Sequence, residues 1–481
     1  MEENIKYTDC FDCGVYLLNE ERLDYAPFKH SSKVFLTQEE NTNLKEEIMS
    51  IIQNSINVLK ICSFIITDKE IFEAILYKAQ NTKTAIFILT QLDQTKLTDS
   101  FSLIGFLTEE EIKESTALTH LKYIKLLFDN GVHVRASISA HAKFIISDRK
   151  KGFITSANLT TPSLILNTES GVYLDEKSSS EMDILFDVIF LRGTSYRQFL
   201  SSNKKHKMLV VQSEIRIQKE LLPKHSESNL RYTYESLTNN LYEEIIRIIE
   251  SARQYLYLST FSIVALESLP EFTQVIKNAV ERGVKIYVFC RGMNYRNDHL
   301  KGSQILYLCG TEIYADLYNH SKGIINESKG MIFTANIDGN HGLKNGFEVG
   351  YILDENQRKE FLEFHNYLIE SSYYKFLYKP MRNEFFKTYS EYEMKKGTNA
   401  PVFSDNIIIS IDSTLNNNKN IFMKYPLFYG KSNDSEYIII GDFYYKIKQS
   451  DGEFKIIEEV KPRFDLERYC LKYSNLKIIS K

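Results

Sequence analysis

Two stretches of this chain carry a pattern that few folds accommodate. His141-Ala-Lys143 and His320-Ser-Lys322 each sit in what reads as a buried strand. The offsets from His141 to His320 and from Lys143 to Lys322 are both 179. In a strand, alternate residues share a face. His141 and Lys143 therefore point together, while Ala142 and Phe144 point into the other layer. Burying two such cations in a core is costly unless something pairs them. A chain that does so twice, at constant spacing, predicts a duplicated fold with a chemical purpose.

The flanking sequence supports the duplication. Residues 58–67 and 84–89 read as apolar strands around a helix at 69–79, and 255–261 and 284–290 flank a helix at 269–281. This order predicts α/β layering. Amphipathic helices at 41–54 and 236–252 precede the two units. Gly131 and Gly310 open short strands just ahead of the His/Lys stretches, and helical patterns at 181–200 and 355–376 close each block. The first block has an extra segment, about 93–127, with a helical part at 109–127. A polar linker lies near 201–207. Beyond about 379, short β-like runs alternate with turn residues such as those at 431–434 and 450–452. The expected plan is therefore an N-terminal segment at 1–34, α/β sandwich halves at 35–203 and 204–379 related by a pseudo-twofold axis, and a small β-rich C-terminal module at 380–481.

Composition narrows the function classes. Lys and Arg total 59 against 63 Asp and Glu, a net charge of −4, so the chain has no global footprint for nucleic acid, though a local basic cleft fits within it. With 31 Tyr and 30 Phe, it can bury a sizeable core. The acidic N-terminus shows no signal peptide and no apolar run approaches 18 residues, so the expectation is a cytoplasmic protein without a membrane anchor. Of the six cysteines only Cys10 and Cys13 form a CxxC pair. With no second pair, ordinary cysteines near a terminus are the simpler reading than a metal site. His30, His120, His133, His206, His225, His299, His341 and His365 are scattered and read as solvated or structural. The run Arg149-Lys150-Lys151 reads as a solvated turn, with a phosphate-backbone contact as the alternative.

A histidine beside a lysine makes a poor core and a good phosphate site. The lysine binds an anionic oxygen, and the histidine serves as nucleophile or proton donor. Ser156 and Asn158, on the next strand, are placed to add neutral hydrogen bonds, as are Thr334 and Asn336 in the second copy. Glu169 and Glu348 lie where a carboxylate can orient a histidine ring. Two halves about a pseudo-twofold axis would bring two histidines to opposite sides of one phosphate. One attacks phosphorus, and the other protonates the leaving oxygen and then activates water. Two lysines neutralise the charge, so no metal and no cofactor is called for.

The motifs resemble the signature of the phospholipase D superfamily. The first copy reads His141-Ala-Lys143, then Asp148, Thr155-Ser156-Ala-Asn158 and Asn167-Thr-Glu169. The second reads His320-Ser-Lys322, then Glu327, Thr334-Ala-Asn336 and Asn345-Gly-Phe-Glu348. Glu327 stands in place of the usual aspartate, Thr334 in place of the serine, and Thr155 in place of the usual glycine. The resemblance spans about 35–376. It implies one shared active site, a phosphohistidine intermediate without a metal, and catalytic roles for His141, Lys143, Asp148, His320, Lys322 and Glu327. The more regular first motif makes His141 the expected nucleophile and His320 the general acid. The preferred reading is a bacterial endonuclease acting on DNA or RNA, in a setting such as anti-phage defence, with a protein partner such as a translocase ATPase to supply further grip. Its alternatives are a phospholipase D or cardiolipin-synthase-like phosphatidyltransferase, and a decayed assembly subunit.

Overall fold

The computed structural model describes residues 14–24, 28, 32–38, 41–92, 115–137, 140–193, 196–201, 208–212, 217–224, 227–294 and 296–380, with seven strands between 407 and 480. Cys10, Cys13, His30, His206 and His225 lie outside the described residues. The chain is mixed α/β, built on two large sheets.

The first sheet has nine strands, in spatial order β10 (Met208–Gln212), β9 (Tyr196–Ser201), β5 (His133–Ser137), β4 (Ala85–Thr90), β3 (Val58–Cys62), β6 (Phe144–Ser147), β7 (Lys151–Thr155), β8 (Glu169–Tyr173) and β2 (Phe35–Thr37). The second has ten: β1 (Gly14–Leu18), β21 (Tyr374–Tyr378), β16 (Glu312–Asp316), β15 (Lys285–Arg291), β13 (Tyr255–Ser259), β17 (Gly323–Asn326), β18 (Gly330–Phe333), β20 (Phe347–Ile352), β11 (Leu230–Tyr234) and β12 (Thr238–Asn239). The two orders match strand for strand over nine positions. In each, three parallel strands (β3, β4, β5 and β13, β15, β16) are followed by an antiparallel meander that begins at β6 or β17. A third, seven-stranded sheet is formed by segments between Ile407 and Ser480.

Helices cover these sheets for ordinary sequence reasons. α1 (Asn43–Asn54) buries Leu44, Ile48, Ile51 and Ile52, spaced to lie on one face. α2 (Lys69–Asn81) is capped by Asp68, whose side chain accepts from the Ile71 N–H. α3 (Ser115–Asp129), α4 (Glu176–Arg192), α5 (Asn240–Ser251), α6 (Pro270–Glu281), α7 (Asn297–Leu308) and α8 (Glu355–Glu370) complete the set used below. Asp354 and Gln357 form a reciprocal capping box at the start of α8. The closing helices of the two halves end at Arg192 and Glu370, and strands β9 and β21 take up the rest of the segments expected to be helical. Gly131 and Gly310 adopt φ of 87° and 96° after α3 and α7, a conformation that favours glycine.

Each half has its own apolar core, around Ile61 and Ile88 in the first and Leu258 and Val288 in the second. A third cluster draws Phe144 and Phe186 from one half and Ile325, Phe347 and Phe361 from the other. This shared core presses the two sheets together.

Two expectations about organisation are corrected. The N-terminal segment is not separate: β1 pairs antiparallel with β21 and completes the second sheet. Conversely β10, which precedes the second half, pairs with β9 of the first. The strand ahead of each half thus sits on the other one. Tyr16 of β1 anchors this exchange, since its hydroxyl meets Ser303 (2.6 Å), His299 (3.0 Å) and Cys290 (3.1 Å) in the second half. The extra segment is also shorter than expected. Helix α3 has a counterpart in α7. Leu89 and Phe289 hold matching positions at an offset of 200, whereas His120 and His299 match at 179, so the first half carries 21 additional residues between them.

Candidate active site

The His/Lys segments do not lie inside strands. His141 and Lys143 precede β6, and His320 and Lys322 precede β17. The reason is that their backbone is engaged across the interface. The His141 N–H donates to Phe347 O (3.2 Å) and the His320 N–H to Thr168 O (2.9 Å). Parallel bridges join Ala140 to Phe347 and Asn319 to Thr168. Each histidine backbone is thus docked beside the glutamate segment of the opposite half.

The side chains follow the same crossing. His141 Nδ1–H donates to Glu348 Oε1 at 2.6 Å, and His320 Nδ1–H donates to Glu169 Oε1 at 2.8 Å. A carboxylate only accepts, so each ring carries its proton on Nδ1 and presents a lone pair at Nε2. Both carboxylates are buried, with side-chain exposures of 2% and 0%. Lys143 Nζ donates to the His141 carbonyl, and Lys322 Nζ to that of His320 (2.7 Å). Each lysine therefore reaches back to the main chain of its own histidine. Phe64 and Phe261 stand edge-on to the two imidazoles, at 5.8 and 5.3 Å between centroids.

The electrostatics follow from burial and proximity. Burial lowers the His320 ring to about 3, with the Lys322 and Lys143 charges adding and Glu169 opposing. Burial also lowers the His141 ring, screened by the solvent that reaches a third of its side chain. Burial brings Lys322 down to about 7, and the charges of Lys143 and Arg291 add to it. Burial raises the Glu169 and Glu348 carboxyls, but their histidine and lysine neighbours outweigh it and hold both below the usual range. The resting cluster is two neutral imidazoles, two carboxylates and two lysines whose charged forms burial disfavours, so an anion bound among them would favour protonation.

Other expected site residues have different work. Ser156 follows β7 rather than lying on it, and its hydroxyl donates to Glu169 Oε2 at 2.6 Å. Thr334 donates to Glu348 Oε2 at 2.5 Å. Both hydroxyls steady the carboxylates, so they are not free phosphate ligands as the sequence suggested. The Asn158 and Asn336 Oδ1 atoms are buried with no hydrogen-bond partner, but an amide oxygen only accepts, so a phosphate oxygen could be met only by their Nδ2 groups. Asp148 and Glu327 lie outside the cluster. Asp148, five residues beyond Lys143 and so about 16 Å along an extended chain, accepts from the N–H groups of Ile56 (3.0 Å), Asn57 (2.6 Å) and Val58 (3.0 Å). Glu327 accepts from the Arg253 N–H (2.7 Å) and the Gln254 N–H (3.4 Å) in the matching place. These carboxylates brace the strand starts of β3 and β13. Glu can replace Asp because only a backbone bracket is required.

Several residues escaped the sequence reading. Phe64 and Phe261 recur at an offset of 197, the same as that between β3 and β13, which they follow, and that recurrence was a usable signal. His120 and His299 recur at 179. Both are buried, accept from the N–H of Ile66 and of Ile263 (3.0 Å each), and donate to the carbonyls of Gln91 and Arg291 (2.9 Å each). They are structural, as expected, but paired. Arg291, only 2% exposed, donates to Asn167 Oδ1 at 3.0 Å across the interface.

Comparison with known proteins adds a family. Residues 48–189 match the family model described as cardiolipin synthase, PLD-like domain. No curated protein matches the sequence. Similar solved structures include phosphatidylserine synthase from Haemophilus influenzae Rd KW20 (10% identity, 80% of this chain and 96% of that one, TM-score 0.48). Polyphosphate kinase from Porphyromonas gingivalis is another (12% identity, 78% and 57% coverage, TM-score 0.47). A third is Nuc from Salmonella typhimurium, described as a phospholipase D family member (17% identity, 30% and 95% coverage, TM-score 0.26). The family match thus covers residues 48–189 of the first half, and the His/Lys motifs of the two halves meet in a single cluster, as the motif resemblance to the phospholipase D superfamily implies.

Proposed function

We propose that the protein is a phosphodiesterase that uses His141 and His320 in a two-step displacement, with nucleic acid as the preferred substrate. The observation that carries the reading is the crossed pairing of His141 with Glu348 and His320 with Glu169, with a lysine ammonium on the carbonyl of each histidine. One imidazole supplies the Nε2 lone pair. The other, once a bound phosphodiester anion has raised its affinity for a proton, protonates the leaving oxygen. Each glutamate stabilises its ring as positive charge develops there. Lys143 and Lys322 neutralise the equatorial oxygens without proton bookkeeping.

Nucleic acid is favoured by the half-buried ring of Phe64 beside His141, since base stacking on such a ring tolerates any sequence. A partner such as a translocase ATPase would add grip that a net charge of −4 does not supply. A phosphatidyl substrate is the second reading. It is favoured by Ile165 and Leu166, 42% and 37% exposed on the turn that leads into Asn167, and by the cardiolipin-synthase description of the matching family.

The test is cleavage of single- and double-stranded DNA, RNA and phosphatidylcholine vesicles in EDTA, by wild type, His141→Ala and His320→Ala. Nucleic-acid cleavage that persists in EDTA and disappears in both variants is the expected result. Lipid turnover alone moves the protein to the second reading, and activity that needs a divalent ion removes the mechanism.

A further inference from the structure

Strand β1 is held as a bound peptide is held, along both of its edges. On one edge it pairs antiparallel with β21, from Gly14 opposite Tyr378 to Leu18 opposite Tyr374. On the other edge side chains replace a neighbouring strand. The Asn294 amide accepts from the Tyr16 N–H (2.7 Å) and donates to the Tyr16 carbonyl (2.8 Å), and the Gly14 N–H donates to Gln304 Oε1 of α7 (3.4 Å). The segment therefore lies in a groove, its main chain read from both sides, the geometry by which a sheet edge takes up an extended peptide.

The groove is selective at two positions. The Tyr16 ring enters a buried pocket, edge-on to Phe376 (5.1 Å between centroids) and stacked on His299 (5.5 Å). Its O–H donates to Ser303 Oγ (2.6 Å), because that serine spends its own proton on the His299 carbonyl (2.8 Å). Two residues earlier, a Cβ added at Gly14 would overlap the Phe376 ring, which is itself fully buried. Gly-x-Tyr is thus the pattern that fits. The pocket also leads to His320. His299 accepts from the Ile263 N–H (3.0 Å) and donates to the Arg291 carbonyl (2.9 Å). Ile263 lies two residues beyond Phe261, and the Arg291 guanidinium stands over the Phe261 ring at 5.0 Å. Phe261 is edge-on to His320, and Arg291 Nη2 donates to Asn167 Oδ1 (3.0 Å), two residues ahead of Glu169, the carboxylate that holds the His320 ring. Asn294, which grips the Tyr16 main chain, follows Arg291 by three residues.

We propose that β1 is a built-in peptide ligand of the second half, held in a groove that reads Gly-x-Tyr, and that Tyr16 is a positioning residue whose docking sets Phe261 and Arg291 around His320. The occupant is this chain's own N-terminal strand, bound in cis. Tyr16 touches neither substrate nor the His320 ring; it acts through His299, which ties the Phe261 loop to the end of β15. A change of occupant in the groove therefore changes the alignment of a motif about 300 residues away in the chain. The activity measurements below rest on the phosphodiesterase reading; the binding and resonance measurements do not.

The probe is a synthetic peptide spanning Gly14–Arg22 with a fluorophore at its C-terminus, and the protein is the full chain with a protease site placed after Asp24. Once cut, the protein is expected to exchange its N-terminal fragment for the labelled peptide, whereas the uncut chain, whose groove is filled, should bind none. An unlabelled peptide carrying Tyr16→Phe is expected to compete roughly 10-fold less well than the wild-type sequence, the effect of leaving a buried partner unpaired, and one carrying Gly14→Ala less well still. Equal binding by cut and uncut protein, or variant peptides that compete as the wild type does, overturns the groove. Tyr16→Phe in the uncut full chain removes one hydroxyl and leaves the strand in place. It is expected to shift the ring-nitrogen resonances of His299 and His320 and to lower kcat on bis(p-nitrophenyl) phosphate with KM held. Resonances of His320 that do not move in the folded variant overturn the positioning role. No turnover by wild type overturns the phosphodiesterase reading instead, and the peptide and resonance measurements then decide the groove and the positioning role without it.

Discussion

Glu348 is a first-half residue in function and a second-half residue in sequence. Its carboxylate lies 2.6 Å from the His141 ring, 207 positions away, and is itself steadied by Thr334. Removing its charge while keeping its shape should therefore damage the ring of the other motif. Glu348→Gln is expected to lower kcat by roughly 10–100-fold, the usual cost of losing a partner that orients a catalytic group, with KM little changed. The His141 ring resonances should move and those of His320 should not, which a titration by heteronuclear NMR reads directly. Asp148 predicts the opposite kind of effect. Its carboxylate serves three backbone N–H groups at the start of β3. Asp148→Ala should cost stability on the order of 0.5–1.5 kcal/mol by removing those bonds, since water reaches the exposed Ile56 and Asn57 N–H groups. Its activity per folded molecule should stay close to wild type, so urea unfolding and the pH–rate profile measured side by side separate the two roles. The motif letters were legible in the sequence because they recur at fixed offsets. The division between chemistry and bracing was not, since an aspartate five residues after a lysine looks the same whether it meets substrate or three amides.

At the scale of elements, the buried pair His120 and His299 ties helices α3 and α7 to the loops that carry Phe64 and Phe261. Burial, the largest cause, lowers His120 to about 4 and His299 to about 3, and the carbonyls they bond oppose it only in part. An unfolded histidine titrates near 6.5. Below that pH the unfolded chain binds protons that the folded chain refuses, so stability falls as pH falls. The loss begins near 6.5 and levels off at the folded values. At pH 5 it amounts to about 2 kcal/mol for each ring, from about 1.5 pH units at 1.36 kcal/mol each. Urea midpoints should therefore drop between pH 7 and 5, and His120→Gln, though less stable at pH 7, should show a shallower slope. A slope unchanged by the substitution would remove this account. Periodicity showed α1, α2, α5 and α6 in the sequence. It overextended the closing helices, because the apolar residues of β9 and β21 continue the pattern without a break for propensity to detect.

For the whole molecule, the exchange of edge strands has a mechanical consequence. β1 belongs to the N-terminal part of the chain but completes the second sheet, and β10 completes the first sheet from beyond the linker. The shared core of Phe144, Phe186, Phe347 and Phe361 adds buried apolar area between them. A protease site placed between Ser201 and Met208 should yield two fragments that co-elute after cleavage and keep the activity of the intact chain. Fragments that separate would mean that chain continuity, not the crossed strands and shared core, holds the halves together. Among the described residues no helix is long and apolar enough to cross a membrane.

By itself the sequence marked two α/β halves and singled out His141, Lys143, His320 and Lys322 as a repeated His/Lys pair. Repeat offsets and strand alternation are local properties, carried by a few neighbouring residues and preserved when a half is duplicated. Only the tertiary structure decided that Glu348 serves His141 and Glu169 serves His320, that Ser156 and Thr334 hold carboxylates rather than phosphate, and that β1 and β10 trade sheets. It also revealed that Arg291 reaches Asn167 and Asp316 meets Thr168 across the interface. Those outcomes depend on how two surfaces meet across an interface, and residues 278 positions apart, as Tyr16 and Asn294 are, share no periodicity through which the chain could announce their contact.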